Sequence, residues 1–404
     1  MLVVSSDSGY VEEAFAWARD QALAWVRTGP GNLPSYWAGY PSRELFYLRD
    51  VAHQAAGAHL LGLDAENFAM FRHFARSATP ARKWFPLWAF HFDGRIAALD
   101  HHSDEHFVRE IPAVFDLTYR ALEQYDWTGD RRWLDDPDLA AYYRTCVGEF
   151  VTAHDSDGDG VPEAGGTADI FLGTATYNER EAPLLIAGDG LAAQYAVLRK
   201  LGRDAEADRL QAIYQTWWRD DHFARGVTTD GLDFDWGLES HTLAALFGLG
   251  GTDQHLDWLE AKMTSDPPKN IESKSYYPEL LFKYGRDESA WQWTKHLIDS
   301  RDDYPEISFT VVEHLVAGLL GLRPRAGDAV LAVDSHLPAE LGVLTADHIR
   351  VGGWDLRITQ EARHTTEVTV HSGPGPLTVV VAGTPHLLGP GETARVSTPT
   401  KDRS

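Results

Sequence analysis

The stretch LGLDAE at residues 61–66 returns as LGRDAE at 201–206 and in shortened form as YGRDE at 284–288. In each copy a glycine closes an apolar segment and an aspartate follows two residues later. Glycine readily adopts the left-handed conformation that ends a helix, and aspartate is a preferred cap for the helix that follows. The repeated turn therefore predicts short joints between paired helices.

Twelve stretches carry apolar residues at intervals of three and four, which is the pattern of helices packed on one face. They are residues 10–27, 47–61, 64–78, 110–127, 138–153, 187–201, 204–218, 238–249, 253–263, 275–284, 287–300 and 306–320. Each even-numbered member of this series stops at a glycine: Gly62, Gly129, Gly202, Gly250, Gly285 and Gly321. The joints after odd-numbered helices are mostly much longer, and long ordered loops are usually functional.

Six hairpins with short turns at one end and long loops at the other predict a mainly α fold, a closed (α/α)6 toroid over residues 1–324. The even-numbered helices should form its inner ring, with their N-termini on the face that carries the long loops. An open helical solenoid is the alternative. After Pro324, segments such as HIRV and EVTVHS alternate in the manner of strands. They predict a small antiparallel β-sandwich over residues 325–404.

The bulk composition narrows the kinds of partner. The chain has 404 residues and a formal net charge of −24. Nucleic-acid phosphates and anionic membrane surfaces are bound by clustered Lys and Arg. The strongly negative charge of this chain argues against both partners, so a neutral small molecule is the expected ligand. Neither a signal peptide nor a transmembrane segment is visible, and a cytoplasmic enzyme is expected. The single cysteine, Cys146, is expected to be buried and inert. No cofactor is expected, and the oligomeric state stays open.

Candidate functional residues gather in the long loops and at the starts of the even-numbered helices. Aromatic rings can stack on sugar rings, and carboxylates, imidazoles and guanidinium groups can bind hydroxyls. The candidate substrate-binding residues are Trp37, Arg49, Asp50, Trp84, Trp88, His91, Asp93, His101, Trp236, Glu239, Glu272 and Tyr276. The acids among them that lie near the starts of inner helices are expected to converge at the end of the toroid that carries the long loops, which is its mouth.

Two groups of residues have some features of metal sites. Asp155, Asp157 and Asp159 resemble the first half of a calcium-binding loop, although glycine stands where that loop needs its final glutamate. A loop rich in Asx turns is the alternative interpretation. The four histidines His91, His101, His102 and His106 match no usual zinc spacing.

At this point the chain resembles the six-hairpin glycosidase superfamily. The Leu-Arg-Asp at 48–50 is similar to the Arg-Asp with which glucoamylase-like members bind the sugar that is cleaved. That resemblance implies Glu179, in TYNERE, as the general acid and Glu306, in DDYPEIS, as the general base. The Pro-Ser-Arg-Glu at 41–44 resembles a stretch of α-L-rhamnosidase-like members, which implies Glu44 as the acid and again selects Glu306.

The resemblance implies a glycoside hydrolase that is exo-acting and inverts the anomeric centre by means of a carboxylic acid and a carboxylate. One alternative is a carbohydrate epimerase, isomerase or lyase on the same toroid, in which His91, His101 and His241 would supply acid and base. The other alternative is a sugar-binding protein without catalytic activity. Each interpretation predicts a small carbohydrate as the ligand.

Overall fold

Helices occupy most of the first 320 residues of the computed structural model, which describes residues 1–164, 170, 174–178, 184–362 and 364–397. They are α1 (Gly9–Ala24), α2 (Leu48–Leu60), α3 (Asp64–Ser77), α4 (Ile111–Thr128), α5 (Arg132–Asp135), α6 (Pro137–Val147), α7 (Glu149–His154), α8 (Gly188–Lys200), α9 (Asp204–Gln215), α10 (Leu238–Leu246), α11 (Asp253–Ser265), α12 (Ile271–Lys283), α13 (Asp287–Ser300) and α14 (Pro305–Glu313). Within these ranges, no helix is both long and apolar enough to cross a membrane.

Six of the helices pack into a closed ring. Helix α2 packs on α4, α4 on α8, α8 on α10, α10 on α12, α12 on α14, and α14 returns to α2. The outer layer includes α1 against α14, α3 against α2, α9 against α8 and α13 against α12. The predicted toroid and its inner ring are therefore confirmed, and the open solenoid is wrong because the last inner helix contacts the first.

The glycines that end the inner helices behave as predicted. Gly62, Gly129, Gly202, Gly250, Gly285 and Gly321 all have positive φ, between 60° and 84°. The prediction that the following aspartates cap the next helix is wrong. Asp64, Asp204 and Asp287 are the first helical residues, and α11 is capped by the side chain of Thr252. These aspartates instead place negative charge on the positive end of the helix dipole.

Helix boundaries differ from the predicted ones where local chemistry intervenes. The predicted helix 138–153 is divided at Gly148 into α6 and α7. Helix α12 begins four residues early because the Asn270 side chain caps it through the backbone N–H of Glu272. The predicted helix 306–320 continues beyond α14 as a π-helical turn, His314–Gly318.

Short strands structure the loops at the mouth of the toroid. They are β2 (Val26–Arg27), β3 (Ser35–Tyr36), β4 (Leu45–Tyr47), β5 (Ala89–His91), β6 (His101–Ser103), β7 (His106–Phe107), β8 (Ile186–Ala187), β9 (Trp218–Arg219), β10 (His222–Phe223), β11 (Gly226–Thr228) and β12 (Gly231–Asp233). The pairing of β4 with β5 joins the first two long loops just ahead of α2. Strands of two or three residues are too short for periodicity to reveal.

The C-terminal region forms two sheets. Its strands are β13 (Leu322–Arg325), β14 (Val330–Val333), β15 (Val343–Val351), β16 (Trp354–Glu361), β17 (Thr365–Ser372), β18 (Leu377–Val381), β19 (Thr384–Leu388) and β20 (Thr393–Ser397). One sheet has the order β1-β15-β16-β17-β20, where β1 is Val3–Ser6, and the other has the order β13-β14-β18-β19. The pairing is antiparallel, as predicted, apart from β14 and β18, which run parallel.

Helices α2 and α14 approach each other closely at Gly57. A Cβ atom on this residue would lie 2.0 Å from the backbone oxygen of Phe309. Replacing Gly57 with Ala should therefore force the two helices apart and lower the free energy of unfolding by about 1–3 kcal/mol.

Urea denaturation measures the effect. Gly9→Ala is the control, because a Cβ at Gly9, also helical, meets nothing within 4 Å. An unchanged midpoint for Gly57→Ala would contradict the close packing of α2 on α14.

Candidate active site

An acidic residue stands at the N-terminus of every helix of the inner ring. These residues are Asp50, Glu110, Asp189, Glu239, Glu272 and Glu306. The positive end of a helix dipole stabilises a nearby carboxylate, so each position suits a negative charge. Four of the six are among the residues predicted from the sequence, and Glu110 and Asp189 are not. The pattern that identifies the four, an acid at the start of each inner helix, also holds for α4 and α8.

Three of these acids form one buried cluster. Carboxylate oxygens of Asp50, Glu272 and Glu306 all lie within 4.8 Å of one another. Arg49 forms an ion pair with Glu272, and the hydroxyl of Tyr304 donates to Glu272 Oε2 at 2.8 Å. The predicted convergence of these acids at the mouth of the ring is thus observed.

The cluster holds more negative charge than its neighbourhood compensates. Burial first, and then the charges of Glu272 and Asp50, raise the pKa of Glu306 well above its usual range. Like charges at this separation disfavour simultaneous ionisation. The cluster therefore tends to retain a proton, and a group that can hold or release a proton is what general acid–base chemistry needs.

His53, on α2, contacts Glu306 inside the ring. Its Nδ1 contacts Glu306 Oε1, and its ring stacks on Tyr276 at 3.6 Å with an interplanar angle of 7°. Burial, followed by the charge of Arg120, lowers the pKa of His53 well below its usual range. A neutral ring carries one N–H, so His53 can donate to the Glu306 carboxylate or accept from its protonated form.

A buried ion pair, Arg120 with Glu279, lies next to His53 on the side of the short turns, which is the closed end of the ring. His53 Nε2 lies 3.6 Å from Glu279 Oε2, and Arg120 donates to both oxygens of Glu279 at 2.9 and 3.0 Å. Beyond this pair is a cavity of about 380 Å³ whose lining includes Glu313 and Lys283. Polar side chains thus extend from the carboxylate cluster to the opposite end of the toroid.

Residues 174–178, which belong to the third long loop, are held against Arg49. The Asp189 carboxylate accepts from Thr176 Oγ1 and from the Tyr177 backbone N–H, each at 2.8 Å. Arg49 in turn donates to the Tyr177 carbonyl oxygen at 3.1 Å. Burial raises the pKa of Asp189 to about 7. Glu179, the acid that the resemblance implies, lies outside the described residues.

Two further predicted residues lie near the cluster. Glu239 accepts a hydrogen bond from Ser273 at 3.0 Å, and burial raises its pKa while the charge of Arg49 opposes the shift. The Trp88 indole N–H donates to Glu110 Oε2 at 2.8 Å, which connects the second long loop to the start of α4.

Three other predicted sugar-binding tryptophans pack against neighbouring residues to different extents, since Trp37 is buried and Trp84 and Trp236 are half-buried. Trp37 is 7% exposed and lies against Trp25 and Phe92, so its prediction as a sugar-stacking ring is wrong. Trp236 stacks on His241 with ring centroids 5.4 Å apart. Trp84, half-buried with φ of 69°, packs against the main core.

The remaining predicted residues are not members of the carboxylate cluster. Glu44 is exposed. His91 ends β5, Asp93 pairs with Arg95, and His101 faces Asp104 at 3.2 Å. His241, the third histidine of the epimerase alternative, is buried and bonded to backbone oxygens of Gly237 and Phe223. The structure therefore leaves these three histidines in separate elements.

Asp155, Asp157 and Asp159 do approach one another, with carboxylate oxygens within 4.8 Å. Each already accepts backbone N–H groups a few residues ahead, as Asp155 does from Gly158 and Gly160. This is the geometry of Asx turns, which supports the alternative interpretation of this loop. A calcium ion here stays a prediction.

The fold is similar to those of carbohydrate-active enzymes of known structure. A GH78 family rhamnosidase of Bacillus sp. GL1 has a TM-score of 0.65 and 14% identity over 94% of this chain and 42% of its own. A proposed kojibiose phosphorylase from the human microbiome has a TM-score of 0.68 and 9% identity over 98% and 63%. A wild-type glycosidase has a TM-score of 0.55 and 13% identity over 78% and 99%.

These likenesses define the class of fold, a six-hairpin glycosidase-like toroid with an attached β-sandwich, as the sequence resemblance predicted. The chain spans less than two thirds of the length of the rhamnosidase and of the proposed phosphorylase. No protein-family model matches the sequence. No curated protein matches it either.

Proposed function

We propose that this protein is a glycoside hydrolase that cleaves a neutral sugar from the end of a glycoside and inverts the anomeric centre. The observation that carries the proposal is the meeting of Asp50, Glu272 and Glu306 with Arg49 at the inner-ring N-termini. In this proposal Glu306 is the general base that activates water. The carboxylate of Asp50 and the guanidinium of Arg49 bind adjacent sugar hydroxyls, because one accepts and the other donates hydrogen bonds.

The proton donor has to come from outside the cluster. Carboxyl groups of an inverting pair lie about 6.5–9.5 Å apart to leave room for water, whereas the three clustered carboxylates approach within 4.8 Å. Glu179 is the proposed donor on the family resemblance. Glu239 is a second candidate, because burial raises its pKa and a general acid must be protonated at the working pH.

The experiment that tests the proposal is a panel of nitrophenyl glycosides and disaccharides, with the first-formed anomer followed by NMR. We expect release of a free sugar with the anomeric configuration opposite to that of the substrate. Sugar phosphate formed only when phosphate is added would instead indicate a phosphorylase. A new sugar with no bond cleaved would indicate an epimerase.

The same panel separates the two candidate acids. A substrate with a good leaving group, such as a dinitrophenyl glycoside, needs little help from an acid when the bond breaks. The variant of the true donor, Glu179→Gln or Glu239→Gln, should therefore keep activity on that substrate and lose it on an alkyl glycoside. The other variant should affect both substrates alike.

A further inference from the structure

The solvent-facing side of the larger C-terminal sheet carries a cluster of histidine and aspartate side chains far along the chain from the toroid. Donor atoms of Asp347, His348 and His371 lie within 4.8 Å of one another. Asp355 extends the cluster, with its carboxylate oxygens 3.1 and 3.2 Å from His348 Nδ1. His371 Nε2 is 2.7 Å from Asp347 Oδ1.

Two β-bulges create this arrangement. Between β15 and β16 the register changes from Asp347 opposite Arg357 to Ile349 opposite Leu356, which leaves His348 as the extra residue. Between β16 and β17 it changes from Leu356 opposite Val370 to Asp355 opposite Ser372, which leaves His371 as the extra residue. Both bulges therefore flank the same point of β16, and each extra residue is a histidine.

The backbone is strained at one of the two bulges. His348 has φ of 63°, a left-handed conformation that is uncommon for residues other than glycine. Bulges redirect side chains and interrupt the strand ladder. Two bulges that bring imidazoles and carboxylates together indicate that these side chains have a function of their own, in addition to the pairing of the strands.

We propose that His348, His371, Asp347 and Asp355 bind a divalent transition-metal ion, with Zn²⁺ as the preferred one. Imidazole nitrogens and carboxylate oxygens are both ligands of Zn²⁺, whereas Ca²⁺ and Mg²⁺ prefer oxygen ligands alone. Four ligands at zinc distances are about 3.3 Å apart in a tetrahedron. The bonded pairs are 2.7 and 3.2 Å apart and the donors of Asp347, His348 and His371 all lie within 4.8 Å of one another, so side-chain rotations can bring the four donors to this spacing.

The site would hold the three central strands of the sheet together. Its ligands come from β15, β16 and β17, and their side chains are 29–47% exposed, so an ion can enter from solvent.

Equilibrium dialysis of the full chain against micromolar ZnCl₂, with metal analysis, tests the proposal. We expect one equivalent of Zn²⁺ that excess Ca²⁺ does not displace, and a melting temperature that rises with zinc concentration. The double variant His348→Asn with His371→Asn should bind at least about 100-fold more weakly, as expected when two of four ligands are lost. Its melting temperature without zinc should be unchanged.

The matched control is another exposed histidine pair, His102 and His106, whose Nδ1 atoms are 3.4 Å apart. His102→Asn with His106→Asn should keep the zinc equivalent. The proposal is overturned if the wild-type chain binds no zinc at these concentrations. It is equally overturned if the β-sheet double variant keeps the equivalent, since the cluster would then be two surface ion pairs only.

Discussion

Replacing Glu306 with Gln is expected to lower kcat by at least about 10³-fold while making the protein more stable at alkaline pH. The loss of activity follows from its proposed role as general base. The gain in stability follows from the raised pKa of the buried carboxyl group. Glutamine is uncharged at every pH, so the variant avoids the cost of ionising this position inside the protein.

The sign of the stability effect follows from linkage. Above the unfolded-state pKa of about 4.3, the folded protein still binds the Glu306 proton and the unfolded chain does not. The free energy of unfolding of the wild type therefore falls as pH rises, by up to about 1.4 kcal/mol per unit, until the folded-state pKa is passed. Urea denaturation of both proteins from pH 5 upward should show a difference in the free energy of unfolding that widens with pH and becomes constant above the folded-state pKa of Glu306, where the ionised carboxylate can act as the base.

Glu313 provides the matched control on the same helix. It ends α14, lines the closed-end cavity, and has its pKa raised mainly by burial and by Glu279. Glu313→Gln should therefore show a stability gain of the same sign and retain activity. Full activity in Glu306→Gln would remove this residue from the mechanism, and equal inactivation by both variants would point to a structural effect.

Replacing His53 with Leu is expected to lower kcat by about 10²- to 10³-fold with little change in KM. The imidazole N–H can stabilise the ionised form of Glu306, and loss of a hydrogen bond to a carboxylate raises its pKa. A general base must be deprotonated to act. The acidic limb of the kcat/KM profile should therefore move to higher pH by about one unit or more.

Asparagine at position 53 should restore much of the activity, because its amide N–H can occupy the place of Nδ1. His59→Asn is the control. His59 is a second buried histidine on α2 and pairs with the carboxylate of Asp64 at 2.6 Å, but it lies at the closed end of the ring, away from the carboxylate cluster. It should leave the pH profile unchanged. Identical profiles for His53→Leu and wild type would show that His53 serves packing alone.

The ring could be predicted because its determinants are local in sequence. Apolar periodicity gave the helices, and Gly62, Gly202 and Gly285 marked the ends of alternate ones. Once the even-numbered helices were assigned to an inner ring, Asp50 and Glu306 had to share a face although 256 residues separate them (306 minus 50).

Other features depended on information that periodicity does not contain. Trp37 lies in a loop, where the direction of a side chain follows from tertiary packing, and it faces the core. His53 and His59 both lie on α2 and look alike in sequence, and only their tertiary neighbours distinguish them. The capping error at Asp64 and Asp287 amounts to one residue, because the N-cap is fixed by backbone conformation.

Strand β1, at the start of the chain, belongs to the C-terminal sheet, so the two regions are not separate in sequence. Residues Val3–Ser6 pair with β15 and lead directly into α1, which packs on the helix that carries Glu306. A cut between residues 324 and 325 would leave the first segment with an orphan strand and the second with an unprotected sheet border. We therefore expect separate expression of the two pieces to yield neither in native form, and the sandwich to unfold in one transition with the helical ring.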